Sequence, residues 1–523
     1  MNPVYHKHIL LNALRCATLC LLVLLPCAAA AEKANISQQD LQKVLQRLDT
    51  LTEQNKTLVE RINALESKTS ASAGGDFTEL QEDVEELSEL MNIVERKTLL
   101  DRIEISAEFR TRADWFEYNA HNTYLNIPGS LTIGGREMRV RDTSHYNEEV
   151  HALVNNRFRL NFKAQASNNL KLHARAVMYK NWWDDDSPSF PTEVWFNEGR
   201  IPSGNNLRID RAYVDYFFTP HKKLPMALTF GRLPVIDSLP SDLRNETVRK
   251  SSWPAIFFDN IMDGAALTFM LSELTGLPDA RFSLWYTRMT PDDDAQIYRK
   301  ESLMEDWEVF MAHFETAIPK IDNSLLIISY VYVPEITPID FRLAGSTPID
   351  VPKDLGAFHR LTLYAQFQRF LNTNFDWFAG FTYFTTDSNG DAAKWRLGPF
   401  THTYGLMSDD GKRDTAARAW HLGVRYTLPV SFLNNPKIGL EYNQGSKYYF
   451  GINAGAQDPL HKLDTRGAVW DLYYIQPLTK NLLIRLGYTS VEARYANGEI
   501  YIGKPRRIDA RITNMYLLMD ARF

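Results

Sequence analysis

From residue 103 to its end, the chain alternates apolar and polar side chains with a period of two. In 157–166, every even position is Phe, Leu or Ala, and every odd position is Arg, Asn, Lys or Gln. A period of two places alternate side chains on opposite faces of a β-strand. These segments run for about 10 to 12 residues, which is enough to cross a bilayer at a tilt. The pattern therefore predicts strands with one apolar and one polar face.

About sixteen such strands are predicted, and short connections between them alternate with long ones. This rhythm is typical of a closed transmembrane β-barrel, and it brings both barrel ends to one side. No stretch after the first 31 residues approaches 18 apolar residues, which excludes helical spans. The predicted strands begin at 103 and cover 157–166, 170–178, 207–218, 224–232, 262–271, 280–289, 305–318, 324–333, 357–369, 374–386, 417–427, 437–446, 467–477, 480–492 and 508–523.

Residues 1–31 have the features of an export signal. His6, Lys7 and Arg15 make the start basic, 17–26 is apolar, and the alanines at 28–31 offer a cleavage site. The chain's three cysteines all lie here, at 16, 20 and 27. We therefore expect a mature chain without thiols, disulfides or cysteine-bound metal.

Residues 32–101 are predicted to form a periplasmic coiled-coil stalk. Leu41, Leu48, Asn55 and Ile62 recur every seven residues, and a second apolar position accompanies each of them. A polar residue such as Asn55 at a core position fixes register and oligomer state. The segment is acidic, with 8 basic and 15 acidic residues. We expect it to join copies of the chain, with a trimer favoured; the alternative is two helices folding back within one chain.

Charge and motifs exclude several classes of function. Fifty-eight Lys and Arg against 64 Asp and Glu give a net charge of −6, which rules out a nucleic-acid binder that relies on phosphate neutralisation. The sequence has no nucleophile elbow, phosphate-binding loop or zinc-protease motif. We expect no enzymatic activity, no cofactor and no resident metal.

The last strand carries a further signal. Met515, Leu517, Met519 and Ala521 alternate with polar residues up to the terminal Phe523. Together with Asp210–Tyr216 (DRAYVDY) and 229–234 (TFGRLP), this region resembles Gram-negative outer-membrane porins that carry an N-terminal periplasmic coiled coil. It is also similar to a family of uncharacterised proteobacterial outer-membrane barrels. The resemblance implies an all-β transmembrane barrel at 102–523, with Phe523 read by the outer-membrane assembly machinery and with lipopolysaccharide around the barrel.

A barrel of about sixteen strands is too wide for its wall side chains to fill, so it encloses an aqueous channel unless a loop narrows it. The connection 233–261 is the candidate constriction because it mixes charges with aromatic residues. Its charged members are Asp237, Asp242, Arg244, Glu246, Arg249 and Lys250. Packing of this loop over the barrel rim is the alternative. The predicted pore-lining residues are Arg157, Arg159, Lys163, Lys171, His173, Arg175, Arg211, Asp215, Arg425, Glu441 and Arg485.

These features favour a porin for passive diffusion of small hydrophilic solutes or ions across the outer membrane. Two alternatives stay open. One is a structural barrel that sheathes or tethers a partner, for example a multihaem electron-transfer protein. The other is a surface adhesin.

Overall fold

In the computed structural model, the structure describes residues 102–120, 130–138, 146–181, 207–289, 307–338, 345–452, 460, 462–496 and 501–523. The predicted signal peptide and coiled-coil stalk lie outside the described residues. Among the described residues, no helix is long and apolar enough to cross a membrane.

Sixteen antiparallel strands form a closed barrel, which confirms the predicted fold of the region after residue 102. Each strand pairs with its neighbours in the barrel. The first strand, β1 (Ile103–Ala120), closes the ring against the last, β21 (Arg507–Arg522), with paired residues from Glu108↔Arg522 to Ala120↔Ala510. The barrel strands are β1 (Ile103–Ala120), β4 (Tyr146–Ser167), β5 (Leu170–Asn181), β6 (Arg208–His221), β7 (Leu224–Arg232), β8 (Asp263–Met270), β9 (Arg281–Met289), β10 (Trp307–Thr316), β11 (Ser324–Val333), β13 (Gly356–Phe367), β14 (Phe375–Ser388), β17 (Ala416–Thr427), β18 (Lys437–Gly445), β19 (Arg466–Pro477), β20 (Leu482–Tyr495) and β21 (Arg507–Arg522).

Connections of 2 to 10 residues alternate with longer ones around this ring. We call the two rims the short-turn end and the long-loop end; the start of β1 and the end of β21 lie at the short-turn end. The sequence predicted the second strand at 157–166, but β4 begins already at Tyr146. A register shift opposite Asp114 and Phe116 interrupts the pairing of β1 with β4. Such a bulge reverses which parity faces inward, so simple alternation stops there although the strand continues.

The long connections carry structure of their own. A second, five-stranded sheet has the order β12-β15-β16-β2-β3. Its strands are β2 (Ser130–Ile133), β3 (Arg136–Met138), β12 (Thr347–Asp350), β15 (Ala393–Leu397) and β16 (Phe400–Tyr404). Two short helices, α1 (Ser241–Asn245) and α2 (Ser272–Thr275), and 3-10 turns at Phe370–Asn372, Ser431–Leu433 and Lys462–Asp464 complete the described elements.

The two faces of the barrel wall differ as the alternation predicts. Large apolar side chains such as Phe230, Trp470 and Met515 point outward and are about half exposed (50–51 %). An apolar belt of this kind matches the hydrocarbon of a membrane. The inward side chains are largely buried, because the lumen is occupied.

Candidate functional site in the barrel lumen

Residues 233–262, the connection from β7 to β8, fold into the barrel; we call them the lumen segment. Its side chains and carbonyls contact inward residues of β1, β5, β10, β13, β17 and β20, which lie on different sides of the ring. Only a segment inside the barrel can reach all of these strands. Gly231 begins the departure with φ +121°, and a Cβ there would lie 2.3 Å from the Ala212 carbonyl oxygen. Only glycine fits this close approach without strain.

Asp237 anchors the start of the lumen segment. Its carboxylate lies 3.1 Å from Arg159 of β4 and 3.2 Å from Arg211 of β6, and it also pairs with Arg175 of β5. Arg175 additionally forms a double hydrogen bond with Asp210, at 2.7 and 2.8 Å. Burial alone would raise the pKa of Asp237, but the guanidinium groups hold it well below its ordinary value. The segment is therefore attached to one wall by an ionised carboxylate.

The C-terminal end of α1 is held by arginines from three other strands of the ring, β17, β20 and β21. Arg485 donates to the carbonyl of Arg244 at 2.9 Å, and Arg425 donates to that of Leu243. Arg522 donates to the carbonyl of Glu246 at 2.8 Å. The last carbonyls of a helix have no partners within it and carry partial negative charge, so cations stabilise them. These contacts fix α1 in the half of the lumen toward the short-turn end.

The other charged residues of the lumen segment also reach the wall. Glu246 pairs with Arg425 and Lys437. Arg249 forms a double hydrogen bond with Glu315 of β10 at 2.8 and 3.1 Å. Arg244 lies 3.4 Å from Glu441 of β18.

Two further groups of the lumen segment have shifted pKa values. Lys250 pairs with Glu108 of β1, and burial lowers the pKa of Lys250 to about 8 although Glu108 opposes the shift. Asp242 accepts hydrogen bonds from the Gln366 amide at 2.7 Å and from that of Gln368 at 3.3 Å. Burial raises its pKa, because amide donors compensate desolvation less than a cation would.

The return limb of the lumen segment is apolar. Trp253 stacks on Phe257 with ring centroids 5.2 Å apart and packs edge-on against Trp285 at 5.1 Å. Arg360 of β13 donates to the Phe257 carbonyl at 2.7 Å and to that of Phe450. The buried residues of this region form the outer cluster: Leu233, Val235, Trp253, Ile256, Phe257, Phe258, Met262, Trp307, Val309, Met311, Val331, Val333, Ile336, Leu355, Phe358, Phe384, Ala393, Trp395, Tyr404, Leu406, Met407, Ala417, Ala419, Tyr449, Phe450, Ile452, Tyr501 and Ile502.

The residues predicted to line a pore fall into two groups. Lys163, Lys171, His173 and Asp215 are partly exposed toward the short-turn end; Lys163 lies 3.3 Å from Glu104, and His173 lies 3.5 Å from Asp215. The other predicted residues are all buried or nearly so. They are Arg157, Arg159, Arg175, Arg211, Arg425, Glu441 and Arg485. Most of these contact the lumen segment rather than standing against open solvent, a distinction that alternation along a strand does not reveal.

Sequence reasoning missed several inward residues. The lumen segment is bound by Glu108, Arg110 and Arg360. The alternation of apolar and polar residues along β1 could have identified Glu108 and Arg110 as inward-facing. It also missed a chain of hydrogen bonds in which His313 contacts Ser329 at 2.9 Å and Glu315 at 3.3 Å. Ser329 is 0 % exposed beneath this packing. These hydrogen bonds join β10 to β11, and they fix the Glu315 carboxylate in the position where it accepts from Arg249.

No curated protein matches the sequence of this chain. Two solved structures are similar to this chain. The high-pH structure of Pseudomonas putida OprB is 13 % identical, covers 82 % of this chain and 96 % of its own, and has a TM-score of 0.44. Salmonella typhi OmpF in complex with daunomycin is 11 % identical, covers 80 % and 97 %, and has a TM-score of 0.40. The family model described as "Protein of unknown function (DUF3373)" matches residues 147–521, and the chain belongs to this family.

Proposed function

We propose that the protein is an outer-membrane channel of the porin class for small hydrophilic solutes or ions, closed toward its long-loop end in the conformation described. The observation that carries this proposal is the lumen segment, a charged insertion inside a sixteen-strand barrel. A permanently filled barrel needs no ionised groups in its centre, because apolar packing is as stable as or more stable than buried ion pairs. The charged side chains on the lumen segment and on the barrel wall suit a lumen that fills with water when the segment moves, because water can then solvate these charges.

Movement of the lumen segment would change what the wall presents. Arg159, Arg175 and Arg211 are neutralised by Asp237 and Asp210 while the segment is in place. Without Asp237, these three guanidinium groups would have two nearby carboxylates, Asp210 beside Arg175 and Glu108, which lies 3.6 Å from Arg159. The open channel would then have a basic wall along β4 to β6, which favours anions.

Planar-bilayer conductance of the purified full-length protein tests this proposal. We expect the wild-type protein to be mostly closed with brief openings, and Asp237→Ala to open more often. Asp350→Ala is the matched control, because Asp350 pairs with Lys394 at 3.0 Å in the second sheet and neither residue belongs to the lumen segment. Equal silence of wild type and Asp237→Ala would favour a structural barrel, for which the outer cluster is the supporting observation. A partner threaded through the barrel would have to displace the lumen segment.

Assembly into the outer membrane is proposed to depend on Phe523. Its side chain is 76 % exposed beyond the end of β21, and its backbone pairs with Ala107 of β1 at 2.9 and 3.1 Å. Deleting Phe523 removes the terminal aromatic while leaving β21 itself intact. We expect less protein in the outer membrane with export unchanged; a normal outer-membrane yield would contradict this role.

The predicted stalk at 32–101 is proposed to make the protein a homotrimer. Asn55→Leu in the full-length protein should loosen the choice of oligomer, because a buried polar core residue restricts the stoichiometry of a coiled coil. Sedimentation equilibrium in density-matched detergent measures the result. A strictly monomeric wild-type protein would contradict the proposal.

A further inference from the structure

A cavity of about 250 Å³ lies in the barrel wall between the lumen segment and the short-turn end. It opens where β9 begins, β10 ends and β11 begins. Nine of its eleven lining residues are polar or charged, and they include Arg249, Asp279, Arg281, Glu315, Asn323 and Gln368. The volume suits a solute of a few heavy atoms.

The two arginines of this cavity have different roles. Arg249 uses both terminal nitrogens on Glu315, at 3.1 and 2.8 Å. Arg281 approaches the same carboxylate through Nε, and its two terminal nitrogens donate no hydrogen bond to any residue in the described part of the chain. Glu315 is nearly inaccessible, whereas the Arg281 side chain is 36 % exposed. Apart from the exposed Asp279, the lining thus has one carboxylate for two guanidinium groups, which leaves one positive charge facing the cavity.

A guanidinium whose Nε is already fixed presents its terminal nitrogens as a preorganised fork. Such a fork matches the paired oxygens of a carboxylate or phosphate, and little side-chain freedom is lost on binding. Gln368 and Asn323 add polar groups to the same lining. Asp279 is exposed at the rim and offers a carboxylate only there. These features select a small anion with at least two oxygens over a neutral solute.

We propose that this cavity binds a small oxyanion, a phosphate or a carboxylate, through Arg281. A solute would reach this cavity from the short-turn end of the channel, so the proposal rests on the proposed channel function for the route of the solute. Binding itself requires only the folded barrel.

Isothermal titration of the detergent-purified full-length protein tests the site, with sodium phosphate in one arm and sodium acetate in the other. Binding of either anion supports the proposal and identifies the class; binding of neither overturns it. Arg281→Gln should weaken the observed affinity about tenfold or more, which corresponds to the loss of one charge-assisted interaction. Arg281→Lys keeps the charge beside Glu315 but loses the fork, and it should also weaken binding.

Lys320→Gln is the matched control. Lys320 is exposed in the turn between β10 and β11, at the short-turn end, and does not itself line the cavity. Its substitution removes one positive charge but should leave the affinity unchanged. Equal weakening by Lys320→Gln, or wild-type affinity in both Arg281 variants, would overturn the proposal. A silent channel that still binds the anion would reject the channel function but not the site.

Discussion

The two halves of the lumen are filled by different chemistry. Toward the short-turn end, α1 and its flanks are held by ion pairs and by arginine hydrogen bonds to carbonyls. Toward the long-loop end, the outer cluster packs Trp, Phe, Tyr and aliphatic side chains that are at most 5 % exposed. Apolar packing is non-directional and excludes water, whereas ion pairs fix position but cost desolvation. In the proposed channel, the outer half would therefore set closure, and the inner half would set the position of the lumen segment.

The largest expected effect comes from the outer half. Trp253→Ala removes a fully buried side chain that touches Phe257 and Trp285, and it leaves a cavity. We expect about 3–5 kcal/mol of destabilisation, as for other large-to-small core changes, measured by urea unfolding in detergent. Phe432→Ala is the control, because Phe432 is 84 % exposed. A small effect at Trp253 would mean that the outer cluster contributes little to the stability of the filled lumen.

The second prediction concerns the barrel wall around both halves of the lumen, and it tests whether the outward face of the wall contacts lipid. Leu160 faces outward on β4, next in sequence to the inward Arg159. Leu160→Arg should cost about 2–4 kcal/mol if this face meets the middle of the bilayer. Reversible folding into lipid vesicles measures it. Leu371→Arg, in the exposed 3-10 turn, should cost little. An equal cost at both positions would contradict the membrane-facing assignment.

A smaller effect is expected from the inner half. Glu246→Gln keeps the side-chain shape but removes the charge that pairs with Arg425 and Lys437. Asp376 still neutralises Arg425, so we expect a loss of about 1–3 kcal/mol. Urea unfolding measures the loss, and bilayer recordings should show more frequent openings. Glu273→Gln, exposed in α2, is the control. A stability loss without any change in opening would separate anchoring from gating.

The last effect is a pH dependence at Lys250. Its folded pKa of about 8 lies below the ordinary value of 10.5. Between these values the unfolded chain holds a proton that the folded chain has released, so stability rises with pH across this window. Below pH 8 both states are protonated, and the cost of burying the charge is constant. Lys250→Met should flatten this rise by at most about 1.4 kcal/mol per pH unit. Unfolding midpoints at pH 7.5 and 10 give the slopes; identical slopes would contradict the shift.

The strands were predictable because each carries its own signal. The wall from Phe158 to Ala166 alternates without a break, and β21 alternates up to Phe523. Prediction failed at the start of β4, where a bulge opposite Phe116 reverses the parity. A local pattern cannot show whether an interruption is a loop or an extra residue in a continuing strand.

The candidate site was only partly predictable. The mixture of charges and aromatics in 233–261 identified the lumen segment, since aromatic residues need a place to be buried. The partners of Asp237 could not be read from the sequence, because Arg159, Arg175 and Arg211 lie on three different strands. The charge of Arg159 was visible, but its burial against Asp237 was not.

The sequence by itself determined the strand number, the rhythm of connections and the two faces of the wall, because a period of two is a local property of each strand. The tertiary structure alone decided what fills the lumen. Closing the ring brings Arg110, Arg425, Arg485 and Arg522 around one short helix, although they are up to 412 residues apart in the chain. The same closure gathers the long connections into the outer cluster. Whether an inward charge meets water or a carboxylate depends on such distant neighbours.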